Sequence, residues 1–438
     1  MKQVVSTAKR IEGTPVPPGD KSISHRAALL NSIASGTATV SHFCEGDDRR
    51  AMLRCLKGLG VNIKRIASPD GDPSSDRFVV QGHGPYGLHE PDDVLDAGNS
   101  ATTMRLVAGL LAAQPFMSVI SGDSSLRSRP MDRITRPLIA MGATIMGRGQ
   151  DTLAPLSIRG GDLKAIEYKL PVASAQLKSC LLIAGLHAKG ETIIHEPGAS
   201  RDHTERMMRA MGADVTIKRR TVTVRHSALS PMDVYVPGDI SGAAFWLVLG
   251  ACHPNASIRI RRVGMNPTRA GVVEILKAMG AKIKVENIHE DAGEPSADLV
   301  IESSQLEATE ISGEIIPRVI DELPILALAA CFAKGTTRIK DARELRVKES
   351  DRIDATVEGL SALGANIQER TDGMVIVGGN PLTGTEVNSY GDHRIAMTMA
   401  IAGLIAKGET TIHGAEAAGA SYPRFWDTLD SLLPTGQK

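Results

Sequence analysis

The sequence predicts an α/β fold, α+β in its finer class, that is built from two similar domains. The first observation is a motif, [LM]-x-[AG]-[LM]-G-[AV]-x-[IV], whose glycine recurs at Gly60, Gly142, Gly212, Gly280 and Gly364. The second is the tripeptide Pro-Gly-Asp, which occurs at Pro18–Asp20 and again at Pro237–Asp239. The third is the length of 438 residues, which exceeds what one hydrophobic core usually holds and suits two.

Each copy of the motif closes a longer unit that reads in one order along the chain. An apolar helix of small residues comes first, as in Ala27–Ala34 and Leu323–Ala333. A turn, a β-branched strand, a polar loop and a second helix that stops at the glycine follow, and strand-forming residues come next. This order predicts a βαβαββ unit. Because one unit cannot cover its own sheet, several must pack together with their helices inside.

The Pro-Gly-Asp elements separate the repeats into two sets of three. A degenerate sixth copy of the motif lies at Trp426–Leu433, so three copies precede the second Pro-Gly-Asp element and three follow it. One predicted domain is Asp20–Val236. The other is Met1–Gly19 together with Pro237–Lys438, and the chain crosses between the two at these elements.

Composition excludes several classes of protein. The 50 basic and 50 acidic residues balance, so no overall field favours nucleic acid or a membrane, and 3% aromatic residues are too few for base stacking. We find no P-loop, no HExxH and no paired-cysteine motif, and we predict neither a metal nor a cofactor. The GxGxxG at Gly82–Gly87 is followed by Pro91 rather than a helix, which favours a turn.

The five cysteines are scattered and the N-terminus lacks the apolar core of a signal peptide. Free buried thiols in a reducing compartment are the simplest interpretation, and we expect a cytoplasmic protein. Asp202-His203 and Asp392-His393 could form a metal pair, but hydrogen-bonded polar positions are the favoured interpretation.

Unusual polar residues cluster at the predicted helix starts and in the loops before the second helices. Helix N-termini present free N–H groups and a positive dipole end, which suit phosphates and carboxylates. The clusters are Pro18–Arg26, Asp96–Arg105, Ser174–Gln176, Arg127 with Arg129 and Arg133, Ser200–Asp202, Asp321 with Glu322 at an expected helix cap, Arg346–Arg352 and Gly391–Arg394. Many cations with few acids in the same segments predict a small polyanionic ligand. Solvated helix ends are the alternative interpretation, and Asp321 and Glu349 stand out as candidate proton-transfer groups.

Eight of these segments also carry a family resemblance. In chain order they are PGDKSISHRAALL, LDAGNSATTMRL, SRPMDR, ASAQLKS, RDHTERM, IDELPILALAA, LRVKESDRI and YGDHRIAM, and the match as a whole runs from about Pro18 to Pro423. Together they resemble the 3-phosphoshikimate 1-carboxyvinyltransferase (5-enolpyruvylshikimate-3-phosphate synthase) family. The resemblance implies two three-repeat domains that close over substrates in an interdomain cleft. It also implies transfer of the enolpyruvyl group of phosphoenolpyruvate to the 5-hydroxyl of shikimate 3-phosphate, the shikimate-pathway step toward chorismate and aromatic amino acids.

The resemblance further implies roles for individual residues. The implied ligands of shikimate 3-phosphate are Lys21, Ser22, Arg26, Ser174, Gln176, Ser200, Arg201, Asp321 and Lys348. Those of phosphoenolpyruvate are Lys21, Ala101, Arg129, Gln176, Arg352 and Arg394, with Arg127 as the rival of Arg129. Lys21, Asp321 and Glu349 would be catalytic, and which acid performs which proton transfer stays open.

Two departures from the best-known members resemble the subgroup that tolerates glyphosate. Ala101 stands where many members carry glycine, and Ala420–Pro423 lacks a lysine that many carry nearby. We expect a monomer that binds these small molecules only. Two alternatives remain: UDP-N-acetylglucosamine enolpyruvyl transferase, whose loop cysteine is absent from Ser121–Pro130, and a non-catalytic repeat scaffold that binds anions.

Overall fold

The computed structural model describes residues 1–44, 46–68 and 76–434, and these form two compact units. Unit 1 comprises Met1–Pro18, Pro237–His289 and Pro295–Lys438, and unit 2 comprises Gly19–Val236 and Glu290–Glu294. The short segment Glu290–Glu294 was not expected in unit 2. It belongs there because the Glu294 carboxylate lies 2.8 Å from Nδ1 of His203. That each unit is a three-repeat domain in its own right stays a prediction.

Two helices fall in each repeat, and all are numbered here in chain order. They are α1 (Lys21–Ser32), α2 (Asp47–Gly58), α3 (Ala101–Leu111), α4 (Asp132–Met141), α5 (Ala175–Gly185), α6 (His203–Ala210), α7 (Ile240–Cys252), α8 (Gly271–Ala278), α9 (Leu323–Phe332), α10 (Arg352–Ala362), α11 (His393–Ile405) and α12 (Phe425–Ser431). Shorter helical segments lie at Arg148–Asp151 and Ile316–Val319, with 3₁₀ turns at Leu126–Ser128, Gly313–Ile315, Arg343–Val347 and Ala415–Ala420.

The strands are short, as expected for sheets made within each repeat. They are β1 (Lys2–Ser6), β2 (Ile11–Gly13), β3 (Ser35–Ser41), β4 (Asn62–Ile66), β5 (Arg77–His83), β6 (Leu95–Asp96), β7 (Met117–Ser121), β8 (Thr144–Gly147), β9 (Leu153–Arg159), β10 (Glu167–Lys169), β11 (Glu191–His195), β12 (Val215–Lys218), β13 (Thr221–Arg225), β14 (Val234–Tyr235), β15 (Ala256–Gly264), β16 (Lys282–Asp291), β17 (Glu294–Glu302), β18 (Glu310–Ile311), β19 (Thr336–Ile339), β20 (Asn366–Arg370), β21 (Gly373–Val377), β22 (Glu386–Asn388) and β23 (Glu409–His413).

One sheet topology recurs in both units. Along the chain the second repeat reads β6, α3, β7, α4, β8, β9, and its sheet order is β6-β7-β9-β8. β6 and β7 are parallel, whereas β7 and β8 both pair antiparallel with β9. The sheets β10-β11-β13-β12 and β18-β19-β21-β20 follow the same order. The predicted βαβαββ unit is therefore confirmed.

Other sheets are completed by strands from distant parts of the chain. β14 runs parallel to β3, with Val234 opposite Val40, and β2 runs parallel to β15, with Ile11 opposite Ala256. In the three-stranded sheet β1-β23-β22, β1 pairs antiparallel with β23. Each unit thus uses a strand that lies near a Pro-Gly-Asp element to complete one of its sheets.

The first helix of each repeat lies inside its unit. In α7, every residue from Ile240 to Ala251 is buried, and α1, α3, α5, α9 and α11 are buried along most of their length. A helix covered on all sides must be enclosed by other elements, which is why each unit has its own hydrophobic core. No helix in the described ranges is long and apolar enough to span a membrane.

The motif glycines end the second helices as the sequence predicted. Gly60, Gly142, Gly212, Gly280 and Gly364 have φ values of 85°, 111°, 91°, 92° and 95°. Only glycine enters this left-handed region without a steric cost, so the motif marks a backbone requirement.

Candidate active site

The start of α1 holds the first predicted ligands in a fixed geometry. Asp20 caps the helix, and its Oδ1 accepts a hydrogen bond of 2.9 Å from the backbone N–H of Ile23. Lys21 is the first residue of the helix, and its ammonium group forms an ion pair with Asp48 on α2. A half-buried lysine at a helix N-terminus adds a mobile point charge to a site that already favours anions.

Arg26 is buried one turn further along α1, at 3% exposure. Its Nε donates to Thr204 Oγ1 at 2.6 Å, Nη2 to Ser179 Oγ at 2.7 Å and Nη1 to the Ser22 carbonyl at 2.9 Å. Burial lowers the pKa of Arg26 to about 10, although Glu205 acts in the opposite direction. All three partners are uncharged, so the guanidinium remains a full positive charge in a site that excludes most water.

Gln176, near the start of α5, joins two more helices. Its Oε1 accepts from Arg105 Nη1 and its Nε2 donates to Thr102 Oγ1 at 3.0 Å, both on α3. Ser174 caps α5 by accepting from the N–H of Leu177 at 3.3 Å. Burial lowers the pKa of Arg105, and nearby Arg133 and Arg129 lower it further. The predicted ligands Ser174 and Gln176 therefore lie beside a cluster of arginines.

Arg129 and its rival Arg127 differ in what holds them. Arg129 Nη2 donates to Asn99 Oδ1 at 2.6 Å and to Ser125 Oγ at 3.3 Å. Arg127 is exposed, and within the described ranges its side chain has no hydrogen bond or ion pair. Asn99 lies two residues before Ala101, the buried first residue of α3. Arg129 is therefore the arginine that is positioned beside this helix start.

Ser200 and Arg201 follow β11 in the loop before α6. The Ser200 hydroxyl donates to Glu196, and the other oxygen of this carboxylate lies 2.9 Å from the Lys178 ammonium. Arg201 is half-buried and close enough to Arg26 for its charge to lower the pKa of Arg26. These two predicted ligands therefore belong to the same end of unit 2 as Arg26.

Arg352, the first residue of α10, is the centre of the unit 1 cluster and is 1% exposed. Its Nε lies 2.8 Å from Asp392 Oδ2, its Nη2 lies 2.6 Å from Glu349 Oε2 and its Nη1 lies 3.3 Å from Asp321 Oδ1. The structure thus brings a predicted phosphoenolpyruvate ligand together with both predicted proton-transfer acids. Asp392 is a third acid, which the sequence placed in the Gly391–Arg394 cluster without assigning it a catalytic or ligand role.

The ionisation of this cluster follows from its contacts. Burial pushes the pKa of Glu349 upward, but the guanidinium of Arg352 outweighs this and holds the pKa below its usual value. Burial, with help from Arg394 and Arg352, lowers the pKa of His393 to about 3. Near neutral pH, Glu349 is therefore a carboxylate and His393 an uncharged imidazole.

Arg394 lies on α11, with Nη2 3.8 Å from Asp321 Oδ2 and Nη1 4.0 Å from Glu322 Oε1. An acid was expected at the cap of α9, and Glu322 lies at this position. Its side chain does not cap the helix, because Oε1 accepts the hydroxyl of Ser241 on α7 instead. Burial raises the pKa of Glu322, and Arg269 and Arg394 oppose this. Glu322 therefore faces the arginines rather than the helix end.

The two Pro-Gly-Asp helix starts have different neighbours. Ser22 lies two residues after Asp20 in unit 2, and Ser241 lies two residues after Asp239 in unit 1. Ser22 is half-buried, whereas Ser241 is buried and also receives a 2.7 Å hydrogen bond from Arg269. In the unit 1 copy, the Ser241 hydroxyl is already bonded to Arg269 and Glu322, whereas the predicted ligands lie at the unit 2 copy.

Lys348, the remaining predicted ligand, precedes α10. Its ammonium lies 2.6 Å from Glu344 Oε1, one turn earlier along the chain. Among the described residues, no group of three or more His, Cys, Asp or Glu side chains could hold a metal ion. His203 is hydrogen-bonded to Glu294, in agreement with the favoured interpretation of that histidine.

A family model described as EPSP synthase (3-phosphoshikimate 1-carboxyvinyltransferase) matches residues 5–429. The chain belongs to the EPSP synthase family. A 3-phosphoshikimate 1-carboxyvinyltransferase from Bacillus cereus is 53% identical over 423 residues, 96% of this chain and 97% of that protein. Its namesake from Desulforamulus reducens is 48% identical over 434 residues, 99% of this chain and 100% of that protein. A solved EPSP synthase from Acinetobacter baumannii has a TM-score of 0.91 at 43% identity, covering 98% of each chain.

Membership of the EPSP synthase family confirms the resemblance read from the eight segments. The structure adds residues to which the sequence assigned no ligand role, and each of them supports a predicted ligand: Asp48, Asn99, Arg105, Lys178, Glu196, Thr204, Asp392 and Glu322. Asn99, Arg105, Lys178, Thr204, Glu322 and Asp392 stood inside the quoted segments, so their position was a usable signal. Asp48 and Glu196 lay outside these segments and resembled ordinary helix and strand-end charges, so only their contacts distinguish them.

Proposed function

We propose that this chain transfers the enolpyruvyl group of phosphoenolpyruvate to the 5-hydroxyl of shikimate 3-phosphate and releases inorganic phosphate. The observation that carries the proposal is the contact of Arg352 with both Asp321 and Glu349, at 3.3 Å and 2.6 Å. A guanidinium that binds an anionic substrate then holds that substrate beside two acids able to move protons.

Shikimate 3-phosphate is proposed to bind the helix starts of unit 2. Arg26 offers a guanidinium whose direct hydrogen-bond partners are uncharged, and Ser22, Ser174 and Ser200 offer hydroxyls near N–H groups that favour phosphate. Arg201, Lys21 and Gln176 complete this set, with Asp321 and Lys348 from unit 1. Hydroxyl groups with arginine match the oxygen-rich surface of a sugar-like phosphate.

Phosphoenolpyruvate is proposed to bind Arg129, Arg352 and Arg394, with Lys21 and Gln176 and with Ala101 at the start of α3. Each arginine is held by a side chain in advance, which lowers the conformational cost of binding the carboxylate or phosphate. The contact with Asn99 favours Arg129 over Arg127.

The proposed reaction adds a proton to C3 of phosphoenolpyruvate in its first step and removes one from C3 in its second. The 5-hydroxyl oxygen attacks C2 of phosphoenolpyruvate and loses its proton to one carboxylate, while C3 gains a proton and becomes a methyl group. The C2–O bond to phosphate then breaks as C3 loses a proton, which restores the double bond. Asp321 is proposed as the base at the hydroxyl, and the proton that it takes leaves with the released phosphate. Glu349 is proposed to take up a proton when the anionic substrate engages Arg352, to give this proton to C3 in the first step and to take one back from C3 in the second, with Lys21 balancing the charge that develops on the oxygens.

Three further expectations accompany this proposal. Ala101 is proposed to weaken glyphosate binding, because its buried methyl group narrows the start of α3. We infer a cytoplasmic location, since all five cysteines are free thiols and a reducing compartment keeps them so. A monomer, the state expected from the sequence, is proposed as the active form, and light scattering at working concentration tests it.

The direct test is phosphate release by the purified chain. With both substrates present we expect steady release of phosphate, and with either substrate alone we expect none. Release with UDP-N-acetylglucosamine in place of shikimate 3-phosphate would favour the sister transferase. Binding of both substrates without any release would favour a non-catalytic scaffold.

A further inference from the structure

Lys178 is a buried cation that the proposed reaction does not use. It lies on α5, one turn after Ser174, and its side chain is 1% exposed. Its Nζ lies 2.7 Å from Glu205 Oε1 and 2.9 Å from Glu196 Oε2. Burial alone would lower the pKa of Lys178, but Glu205 and Glu196 outweigh burial and raise it. Lys178 is therefore a charged group at the centre of a buried network.

The two carboxylates that bind Lys178, those of Glu205 and Glu196, contact different parts of unit 2. Glu205 lies on α6 beside Thr204, and Lys178 lies on α5 beside Ser179, whose hydroxyl is 2.6 Å from that of Thr204. The ion pair and the hydroxyl pair thus join α5 to α6 side by side, next to the guanidinium of Arg26.

Glu196 connects the buried network to the loop that holds Ser200. One of its oxygens lies on Lys178 and the other accepts the Ser200 hydroxyl. A carboxylate fixed at one oxygen by a buried ammonium has little freedom to turn, so it holds the hydroxyl at its other oxygen in one place. Ser200 lies in a loop, and the contact with Glu196 ties its side chain to the rigid helix α5.

We propose that Lys178 is a positioning residue that acts through Glu196 to hold Ser200 in place for the phosphate of shikimate 3-phosphate. This inference rests on the proposed function, because it assumes that Ser200 binds this substrate. Lys178 itself does not touch the substrate, since Glu196 lies between it and Ser200.

The test removes the ammonium and neutralises the carboxylate that is buried most deeply beside it. In the double variant Lys178→Met/Glu205→Gln, both of these groups become neutral groups of similar size, and Glu196, whose side chain is 8% exposed, is the carboxylate that loses its cation. We expect the KM for shikimate 3-phosphate to rise about 10-fold, the typical scale for one charge-assisted hydrogen bond. The KM for phosphoenolpyruvate and the kcat should stay within about twofold.

Repeating the experiment in a Ser200→Ala protein separates a positioning role of Lys178 from a general structural role. Ser200→Ala should raise the same KM, and adding the double variant to it should raise KM by less than about twofold more, because the positioned hydroxyl is already gone. The proposal would be overturned in favour of a structural role if the KM increases of Ser200→Ala and of the double variant multiplied in full. An equal rise in the KM for phosphoenolpyruvate would overturn it as well.

Two more variants complete the design. Lys189→Met removes an exposed lysine, 76% accessible, that pairs with Asp162 at 3.0 Å, and it should match the parent in every constant. Glu196→Gln keeps the Lys178–Glu205 pair and decides the matter if the double variant does not fold. An unchanged KM for shikimate 3-phosphate in Glu196→Gln would refute the proposal. If the parent itself releases no phosphate, the proposed function fails instead, so the two failures are distinguishable.

Discussion

The arginines of the two units are held by different kinds of partner. In unit 2, Arg26 binds hydroxyls and a carbonyl, and Arg129 binds an amide and a hydroxyl. In unit 1, Arg352 binds three carboxylates and Arg394 lies near two. Neutral partners fix a guanidinium without cancelling its charge, whereas carboxylates cancel part of the charge and bring acids to the site.

This difference matches the parts of the proposed reaction. On this proposal, a phosphate that is only bound gains most from a guanidinium without a direct carboxylate contact, and Arg26 in unit 2 is one. A carbon that must gain and lose a proton needs acids close to the bound substrate, and such acids lie around Arg352 in unit 1. The repeat is therefore proposed to serve phosphate binding in unit 2 and proton transfer in unit 1.

The largest expected effect concerns stability. Arg352→Met should lower the free energy of unfolding by about 3–5 kcal/mol, because it leaves the buried carboxylate of Asp392 without its counter-charge. Arg129→Met is the matched variant, and it should change this free energy by less than about 0.5 kcal/mol, since its partners are neutral and the side chain is half-buried. Urea denaturation measures both. Equal losses in the two variants would remove the distinction between the units.

The next effect concerns proton transfer in unit 1. Asp321→Asn should reduce kcat by at least about 100-fold, because the amide keeps the shape of the carboxylate but cannot accept a proton. Binding of shikimate 3-phosphate, measured by calorimetry, should persist. Asp162→Asn, at a surface ion pair, is the control and should be fully active. Turnover near the parent value in Asp321→Asn would exclude this residue as a base.

A smaller effect concerns the start of α3 in unit 2. Ala101→Gly should tighten glyphosate inhibition by about 1–3 kcal/mol, since it removes a methyl group from a tight position. The KM for phosphoenolpyruvate should change little, because this substrate is shorter. If the inhibition constant stays at the parent value, Ala101 acts only as a better helix former than glycine, and Ala420 becomes the next residue to test.

The smallest effect concerns the neutral partners of Arg26. Thr204→Val removes the 2.6 Å hydrogen bond to Nε and keeps the side-chain volume. The KM for shikimate 3-phosphate should rise by an amount worth about 0.5–1.5 kcal/mol, the net value of one hydrogen bond. The KM for phosphoenolpyruvate serves as the internal control. A rise confined to phosphoenolpyruvate would contradict the assignment of Arg26.

The repeat could be predicted from sequence because its signals are local. A glycine that must adopt positive φ ends each second helix, and Gly60 or Gly280 shows this without any knowledge of the rest of the chain. The strands β2 and β14 contain only 3 and 2 residues, and they form only because a distant strand accepts them. Pairing of that kind leaves little pattern in the sequence.

The residues of the candidate site also fall into those that local sequence signals reveal and those that depend on distant partners. Lys21, Arg26 and Arg352 stood out because charges at helix starts are unusual in segments that are otherwise apolar. Glu322 lies at the expected cap position, but sequence spacing does not reveal that its carboxylate accepts the hydroxyl of Ser241, far away in the chain. Residues that act through a distant partner become visible only in the folded chain.

The affinity for shikimate 3-phosphate in two matched variants tests the comparison most directly. Calorimetry without phosphoenolpyruvate should show that Arg26→Lys, which loses the planar fork but keeps the charge, weakens binding about 10-fold or more. Arg394→Lys should bind shikimate 3-phosphate within about twofold of the parent. Equal losses in both variants, or a loss in Arg394→Lys alone, would contradict the division of roles between the two units.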